Sequence, residues 1–275
     1  MTPRAVARAL AGRLATHSIE DAGIEAEVLV RYATGLSREA LYAGEPACTG
    51  DLEQLTRRRI AGEPLAYITG TREFYGHTLS VTPDVLIPRQ ETEILVEVAL
   101  AELEAAPGCS VADVGTGSAC IATAIALGRK DRGRTVGIDF SVAALRVAHR
   151  NTRRLSADVP LVQSDLAFAL GEVDIIVANL PYVPSATIAT LAREVRDREP
   201  LLAFDGGVDG LDLIRRLIDD CATRLRPRLL ALECDPEQAR PISEALLNGG
   251  AHDVAVQKDF ASRDRVVTGR WGREA

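Results

Sequence analysis

The stretch from Val173 to Ala178 constrains the fold more than any other. It is apolar except for Asp174, and Asn179-Leu180-Pro181-Tyr182-Val183-Pro184 follows at once. A continuous apolar run, without the alternation of a half-exposed strand, is what a strand covered on both faces requires, and such strands belong to parallel sheets flanked by helices. The Asn-Leu-Pro-Tyr step then ends the strand abruptly. An amide and an aromatic ring are thereby placed at a strand's carboxyl end, where the loops of an open α/β sheet leave a crevice for ligands.

The chemistry open to this turn follows from its groups. Asn179 offers a side-chain carbonyl and an NH2, and the Leu180 carbonyl precedes a proline that restricts residue 180 to extended geometry. Two acceptors in a stiff frame match a planar NH2 group, that of an amide or of adenine, with Tyr182 placed to stack on its face. Asn and Pro are also ordinary turn residues, so the same four residues equally describe a loop without chemistry. Context decides between the two.

That context has the βαβ rhythm of a parallel sheet. Ser110 to Val114 reads as a strand containing Asp113, Gly115-Thr116-Gly117-Ser118-Ala119 as a turn, and Cys120 to Leu127 as a helix. Two glycines in the turn let a ligand approach the main chain. Asp139 ends the next strand, 22 positions after Gly117, the spacing at which an acidic side chain accepts hydrogen bonds from the ribose hydroxyls of an adenosine ligand. A helix from Ser141 to Leu155, with Ser141 as N-cap, leads to a third strand at Leu161 to Asp165. Asp165 stands where an adenine amino group is read, with Leu166 as an apolar wall; a strand-end aspartate also commonly caps its own turn.

The flanking segments differ in kind. Residues 4–60 have helical apolar spacing with short breaks and read as a bundle of about four helices. Over residues 1–80 nine arginines face ten acidic residues, so this headpiece suits a protein partner, or a buttressing role, better than phosphates. Aromatic and β-branched residues from Ala66 to Ile87 predict a β-hairpin linker. Pro88 to Glu93 then opens a helix, with Arg89 and Glu93 either solvated or walling a site. Beyond the Asn-Leu-Pro-Tyr strand, the polar stretch Ala189 to Gly210 is a candidate lid or substrate wall. Helices at Leu211 to Leu225 and Pro236 to Leu247 bracket a strand at Leu229 to Leu232 that runs into Glu233, and two late strands form a terminal hairpin. The expected domains are residues 1–65, helical and substrate-recognising; 66–88, the linker; and 89–275, catalytic.

The whole composition narrows the function classes. A formal net charge of −7 over 275 residues argues against a broad nucleic-acid surface. Five scattered cysteines (Cys48, Cys109, Cys120, Cys221, Cys234) with no C-x-x-C pair suggest reduced thiols rather than disulfides or a zinc site. No metal is expected. No stretch of about 18 apolar residues is present for a membrane span, and the expected location is the cytoplasm, as a monomer.

Taken together, Asp113-Val-Gly-Thr-Gly-Ser, Asp139, Asp165 and Asn179-Leu-Pro-Tyr resemble the class I S-adenosylmethionine-dependent methyltransferases that methylate amino groups. More narrowly, the chain resembles the bacterial peptide chain release factor glutamine N5-methyltransferases. Gly62 to Gly70, Val85 to Arg89 with Thr92-Glu93, Arg198-Glu199-Pro200, Asp205 to Leu211 and Arg263 to Val266 carry that likeness. It implies a seven-stranded, mostly parallel Rossmann-like sheet with a helical N-terminal domain, S-adenosylmethionine as cofactor, and as substrate the glutamine of a Gly-Gly-Gln loop in translation release factors. By the same resemblance Asn179 binds that amide, Pro181 and Tyr182 shape the pocket, Gly115 to Ala119 cradle the cofactor and Asp139 holds its ribose. Two positions depart from the family pattern: Leu180 replaces a usual proline and Ala119 a usual glycine. The Leu180 acceptor is a backbone carbonyl and survives the exchange; Ala119 suits the turn only if its backbone angles accept a Cβ. Asn-Leu-Pro-Tyr also resembles the motif of rRNA adenine dimethylases, so adenine N6 methylation of RNA or DNA stays open, as does a cofactor-binding paralogue that no longer catalyses.

Overall fold

A computed structural model describes residues 2–44 and 50–272; Cys48 lies outside them. The chain divides into two compact units, one of residues up to Thr71 together with Ala192–Arg198, the other of Arg72–Leu191 and Glu199 onward.

The first unit is helical: α1 (Pro3–Ala15), α2 (Ala22–Thr34), α3 (Arg38–Ala43), α4 (Leu52–Ile60), α5 (Leu65–Thr69) and a further short helix, Arg193–Arg198. Thr2 caps α1 by accepting from Ala5 N–H, and Ser37 caps α3 by accepting from Ala40 N–H. Leu10, Leu14, Leu29, Val30, Leu41 and Leu55 form its core. Ile68 of α5 joins that core. Residues 66–69 are therefore helical rather than the first part of a hairpin. Tyr67 and Ile68 are both buried, and adjacent apolar residues are as compatible with one buried turn of helix as with a strand.

A buried cation holds this unit together. Arg59 donates to Glu25 through Nε at 2.5 Å and Nη2 at 3.0 Å, and through Nη1 to the Glu63 carbonyl at 3.2 Å. Its Nη1 also pairs with Glu194 at 2.8 Å.

The second unit opens with a hairpin of β1 (Thr71–Phe74) and β2 (His77–Ser80), shorter than the sequence suggested, then α6 (Glu93–Ala105) preceded by a 3-10 turn at Gln90–Thr92. There follow β3 (Val111–Val114), α7 (Cys120–Gly128), β4 (Thr135–Asp139), α8 (Val142–Arg154), β5 (Leu161–Gln163) and β6 (Ile175–Ala178). Helix Arg193–Arg198, counted as α9, is passed to the first unit; α10 (Asp212–Asp220), β7 (Leu229–Glu233), α11 (Ala239–Asn248), β8 (His252–Lys258) and β9 (Asp264–Arg270) complete the second. Ser141 caps α8 as expected, accepting from Ala144 N–H at 3.2 Å. Past Asp220 one π turn, Cys221–Leu225, ends the helix.

Seven strands pair in the order β5-β4-β3-β6-β7-β9-β8. β3 to β7 are mutually parallel, and β9 is antiparallel to both of its neighbours. β3, β6 and β7 are buried along their whole length, because one apolar cluster covers each face of the sheet. Ile214, Leu217, Ile242 and Leu246 of α10 and α11 lie in one cluster, and Leu95, Val98, Ile121 and Ile125 of α6 and α7 lie in the other. The Asp174 that interrupts the apolar run lies just before β6, accepting from both N–H and Oγ of Ser110 at 2.8 Å.

Replacing Arg59 by alanine strands the part-buried Glu25 without its partner. Arg59→Ala is expected to destabilise the helical unit by about 3 kcal/mol, seen as a lower urea midpoint by far-UV circular dichroism. Fluorescence of Trp271, which is buried in the other unit, serves as the internal reference. An unchanged midpoint would show the ion pair to be dispensable.

Candidate active site

Successive strands build the sheet outward from β3 through β4 to β5, and the chain then returns to place β6 on the other side of β3. The carboxyl ends of β3 and β6 therefore diverge into a crevice, the general location of ligands in open α/β sheets. A cavity of about 390 Å³ lies there, within the ~300–1,000 Å³ typical of small-molecule sites. Four strand ends supply its floor: Gly115 to Ser118 after β3, Asp139 to Ser141 after β4, Ser164 to Leu166 after β5, and Asn179 to Pro181 after β6.

The glycine turn is fastened on both sides. Gly115 and Thr116 N–H donate to the Ile138 carbonyl at 2.9 and 2.8 Å. Gly117 N–H donates to Asp139 Oδ2 at 2.8 Å, and Ser141 N–H to its Oδ1 at 2.8 Å. Burial raises the Asp139 pKa against these bonds. Gly115 has φ +78°, and a Cβ there would sit 3.1 Å from Leu180 Cδ2, so the turn nests directly against the β6 loop. Asn151 of α8 secures the outer side, donating to the Ser118 and Ser80 carbonyls at 2.9 Å.

Of the residues singled out in the sequence, Asp113, Ala119 and Tyr182 do not line the cavity. Asp113 is fully buried beneath it: its Oδ2 accepts from Thr116 Oγ1 at 2.6 Å and Ala122 N–H at 3.1 Å, sewing the turn to α7. Burial pushes its pKa up to about 7. Ala119 has φ 61° and ψ 31°, the left-handed region, so the condition on its backbone angles is not met. Its methyl is packed with Ala122, Ala148 and Val159, which offsets part of the strain. Tyr182 turns its ring to the core beside β7 and brings its hydroxyl to 3.4 Å from Glu233 Oε1; stacking on a cavity ligand is not what this orientation provides.

Asn179 and Leu180 do reach the cavity. Asn179 Nδ2 donates to Thr92 Oγ1 at 3.0 Å, leaving Oδ1 without a donor among the described residues. The same holds for the Leu180 carbonyl. Thr92 in turn acts on Glu233, the last residue of β7, whose side chain is buried with Oε2 lacking a close partner. Burial pushes the Glu233 carboxyl up to about 7, against hydrogen bonding by Thr92 and the charge of Arg265. A lone acid closing the strand Leu-Leu-Ala-Leu-Glu was the sequence signal for this group, since a charge ending a buried strand needs a reason.

Two segments wall the cavity. Residues from Asp84 to Thr92 face Pro200, Leu202 and Ala203, and Glu199 joins them by accepting from Ile87 N–H at 3.0 Å and Arg89 Nη2 at 2.6 Å. Arg89 lines the cavity, whereas Glu93 turns away and accepts from Tyr75 N–H at 2.8 Å. Asp165 and Leu166 also line it, but Asp165 is engaged by Arg216 of α10 at 2.7 Å. Arg216 and the exposed Phe140 are cavity residues that sequence reasoning missed. Arg216 carries no local signal, because it reaches the site only through the packing of α10.

The seven-stranded sheet with its antiparallel β9, and a cavity at the β3/β6 switch point, define a class I methyltransferase fold. The N-terminal domain of human METTL16 in complex with SAH shares it, with a TM-score of 0.54 and 15% identity over 79% of this chain and 84% of that one. A methyltransferase from Pyrococcus furiosus does so with a TM-score of 0.53 and 17% identity, over 81% of this chain and 100% of that one. Residues 6–70 match the PrmC N-terminal domain family and residues 111–198 a methyltransferase domain family. The release factor glutamine methyltransferase of Moorella thermoacetica is 43% identical over 264 residues, covering 92% of this chain and 93% of its own. The protein of that name from Geobacter sulfurreducens is 40% identical over 273 residues, covering 95% and 94%. The chain belongs to the release factor glutamine methyltransferase family.

Left-handed geometry costs an alanine about 1–2 kcal/mol, while a buried methyl stabilises by about 0.8 kcal/mol. Ala119→Gly is therefore expected to leave stability unchanged or raise it by up to about 1 kcal/mol in chemical denaturation; a clear loss would mean that methyl packing dominates. Asp113 and Glu233 each hold a proton to about pH 7 when folded but release it near pH 4 when unfolded. The folded state binds more protons between those values, so both groups favour folding at low pH and that contribution is lost as pH rises to 7. Asp113→Asn is expected to flatten the fall in melting temperature between pH 5 and pH 8. An undiminished fall in the variant would refute this account of Asp113.

Proposed function

We propose that the protein transfers a methyl group from S-adenosylmethionine to the side-chain nitrogen of the glutamine in the Gly-Gly-Gln loop of translation release factors, acting in the cytoplasm. The observation that carries this reading is the pair of acceptors at the end of β6, Asn179 Oδ1 and the Leu180 carbonyl, both free of protein donors among the described residues and both at the cavity. Full-length relatives bearing the release factor glutamine methyltransferase name support the choice of an amide over adenine, as does the net charge of −7.

The cavity residues fit this cofactor. Gly115 to Ser118 form a turn with no side chain in the way at Gly115, the Asp139 carboxylate is held by backbone N–H groups with lone pairs to spare for ribose hydroxyls, and Phe140 with Leu166 offers apolar surface for a base. When bound, S-adenosylmethionine supplies a methyl already activated on a sulfonium centre.

What remains for the protein is orientation. A carboxamide nitrogen is a weak nucleophile because its lone pair is shared with the carbonyl. Accepting both N–H hydrogens at Asn179 Oδ1 and the Leu180 carbonyl raises electron density on nitrogen and aims it. The same two dipoles stabilise the positive charge that grows on nitrogen as the N–C bond forms. One N–H proton then leaves to water, and no strong base is needed because the methylated cationic amide is very acidic. Pro181 keeps the preceding carbonyl in place, and Tyr182 supports the loop from behind through Glu233. The helical unit is assigned the recognition of the release factor body, in keeping with its near-neutral charge and its match to the PrmC N-terminal domain family.

The test is transfer of labelled methyl to a purified release factor, beside its Gly-Gly-Ala counterpart and an Asn179→Ala enzyme. Label on the wild-type pair is expected, none on the Gly-Gly-Ala protein, and a loss on the order of 100-fold in kcat for Asn179→Ala, by analogy with removal of one preorganised hydrogen-bonding group. Cofactor binding without label on the release factor would sink the substrate assignment.

A further inference from the structure

Asn179 serves this chemistry in only one of two rotations. Its Oδ1 and Nδ2 are nearly the same size, and a half-turn of the amide would point a donor at the donor NH2 of the substrate. A hydroxyl alone does not choose between the two rotations, since Thr92 can donate to oxygen as readily as it accepts from nitrogen. The choice requires that the Thr92 proton be engaged elsewhere.

Glu233 is placed to engage it. Ala178 pairs with Leu232 in the β6/β7 ladder, so Asn179 and Glu233 leave the sheet side by side, and Thr92 enters from the turn before α6. Glu233 Oε2 is a buried acceptor with no hydrogen-bond partner of its own among the described residues, and Thr92 is close enough to the carboxyl to lower its pKa. Tyr182 approaches Oε1 at 3.4 Å. An ionised carboxylate only accepts; with the Thr92 proton directed to it, a lone pair of Oγ1 faces Asn179 Nδ2 at the observed 3.0 Å.

We propose that Thr92 is a positioning residue, with Glu233 acting through it, and that together they hold the Asn179 amide with its oxygen toward the substrate; this rests on the glutamine-methylating function above. Neither group touches the transferred methyl in this scheme. Thr92 sets which atom of Asn179 does.

The experiment compares the wild type, Thr92→Val, Thr92→Ser, Glu233→Leu and the Thr92→Val/Glu233→Leu pair at about pH 8, measuring kcat on release factor, cofactor affinity and melting temperature. Thr92→Val keeps the shape and loses the acceptor; kcat is expected to fall on the order of 10- to 100-fold, with cofactor affinity held within about threefold. Thr92→Ser restores the hydroxyl and is expected to recover most of the rate. If Glu233 acts through Thr92, adding Glu233→Leu to Thr92→Val brings no further loss in kcat. A wild-type rate in Thr92→Val, a Thr92→Ser enzyme as slow as the valine variant, or fully additive losses would each overturn the proposal.

A readout without substrate separates this proposal from the substrate assignment. The Asn179 Nδ2 protons, held by Thr92, are expected to exchange with solvent at least tenfold faster in Thr92→Val than in the wild type or Thr92→Ser, followed by NMR of the side-chain amide. Equal exchange in all three overturns the positioning role whether or not release factor is methylated. An inactive wild type with protected Asn179 protons would overturn only the substrate.

Discussion

Pairing of β3 with β6 is the constraint from which the site follows. Because β4 and β5 add on one side of β3 and β6 on the other, the glycine turn and the Asn-Leu-Pro-Tyr loop leave adjacent strands and diverge. The close approach between Gly115 and Leu180 Cδ2 is the physical seam where the glycine turn meets the Asn-Leu-Pro-Tyr loop. Strands buried on both faces hold that seam still, since shifting the β3/β6 register by one residue would carry apolar side chains out of both flanking clusters. Both loops are thus anchored on strands that are buried along their whole length.

Carboxyl groups buried at strand ends recur around this seam. Asp113, Asp139 and Glu233 belong to β3, β4 and β7, and burial raises the pKa of each. Each accepts hydrogen bonds from neighbouring groups: Asp113 from Thr116 and the start of α7, Asp139 from the glycine turn, Glu233 from the Tyr182 hydroxyl. Burying such groups is unfavourable on its own. The expense falls where preorganised dipoles are needed, which is the usual place for a protein to accept it.

Much of this was legible beforehand because periodicity and turn chemistry are local. The apolar run before Asn179, the Gly115 to Ser118 turn, the spacing to Asp139 and the strand running into Asp165-Leu166 located all four strand ends that floor the cavity, and the alternation of strands and helices indicated a parallel sheet. Local pattern failed where two conformations satisfy it equally: Tyr67 and Ile68 read as strand but form one buried turn of helix. It also failed for direction. Asp113 lies two residues before the cavity-lining Gly115 and Tyr182 one after Pro181, yet Asp113 points beneath the turn and Tyr182 behind the loop, because the chain leaves the strand at both places and the direction of a loop side chain is set by the turn and by packing, not by a local period. No short-range signal linked Arg216 to Asp165, 51 residues apart, or Thr92 to Asn179, 87 apart.

The amino-acid sequence by itself therefore determined the kind of sheet, the strand ends that meet at the crevice and the presence of an amide with a proline-locked carbonyl among them. These follow from burial periodicity and the stereochemistry of Gly, Asn and Pro, which act over a few residues. Only the tertiary structure decided which groups face the cavity, which support it, and that the Asn179 amide nitrogen is taken by Thr92 so that its oxygen is left free. That outcome depends on the turn before α6 reaching the end of β6, a proximity that closes a chain loop of many residues and leaves no trace in local composition.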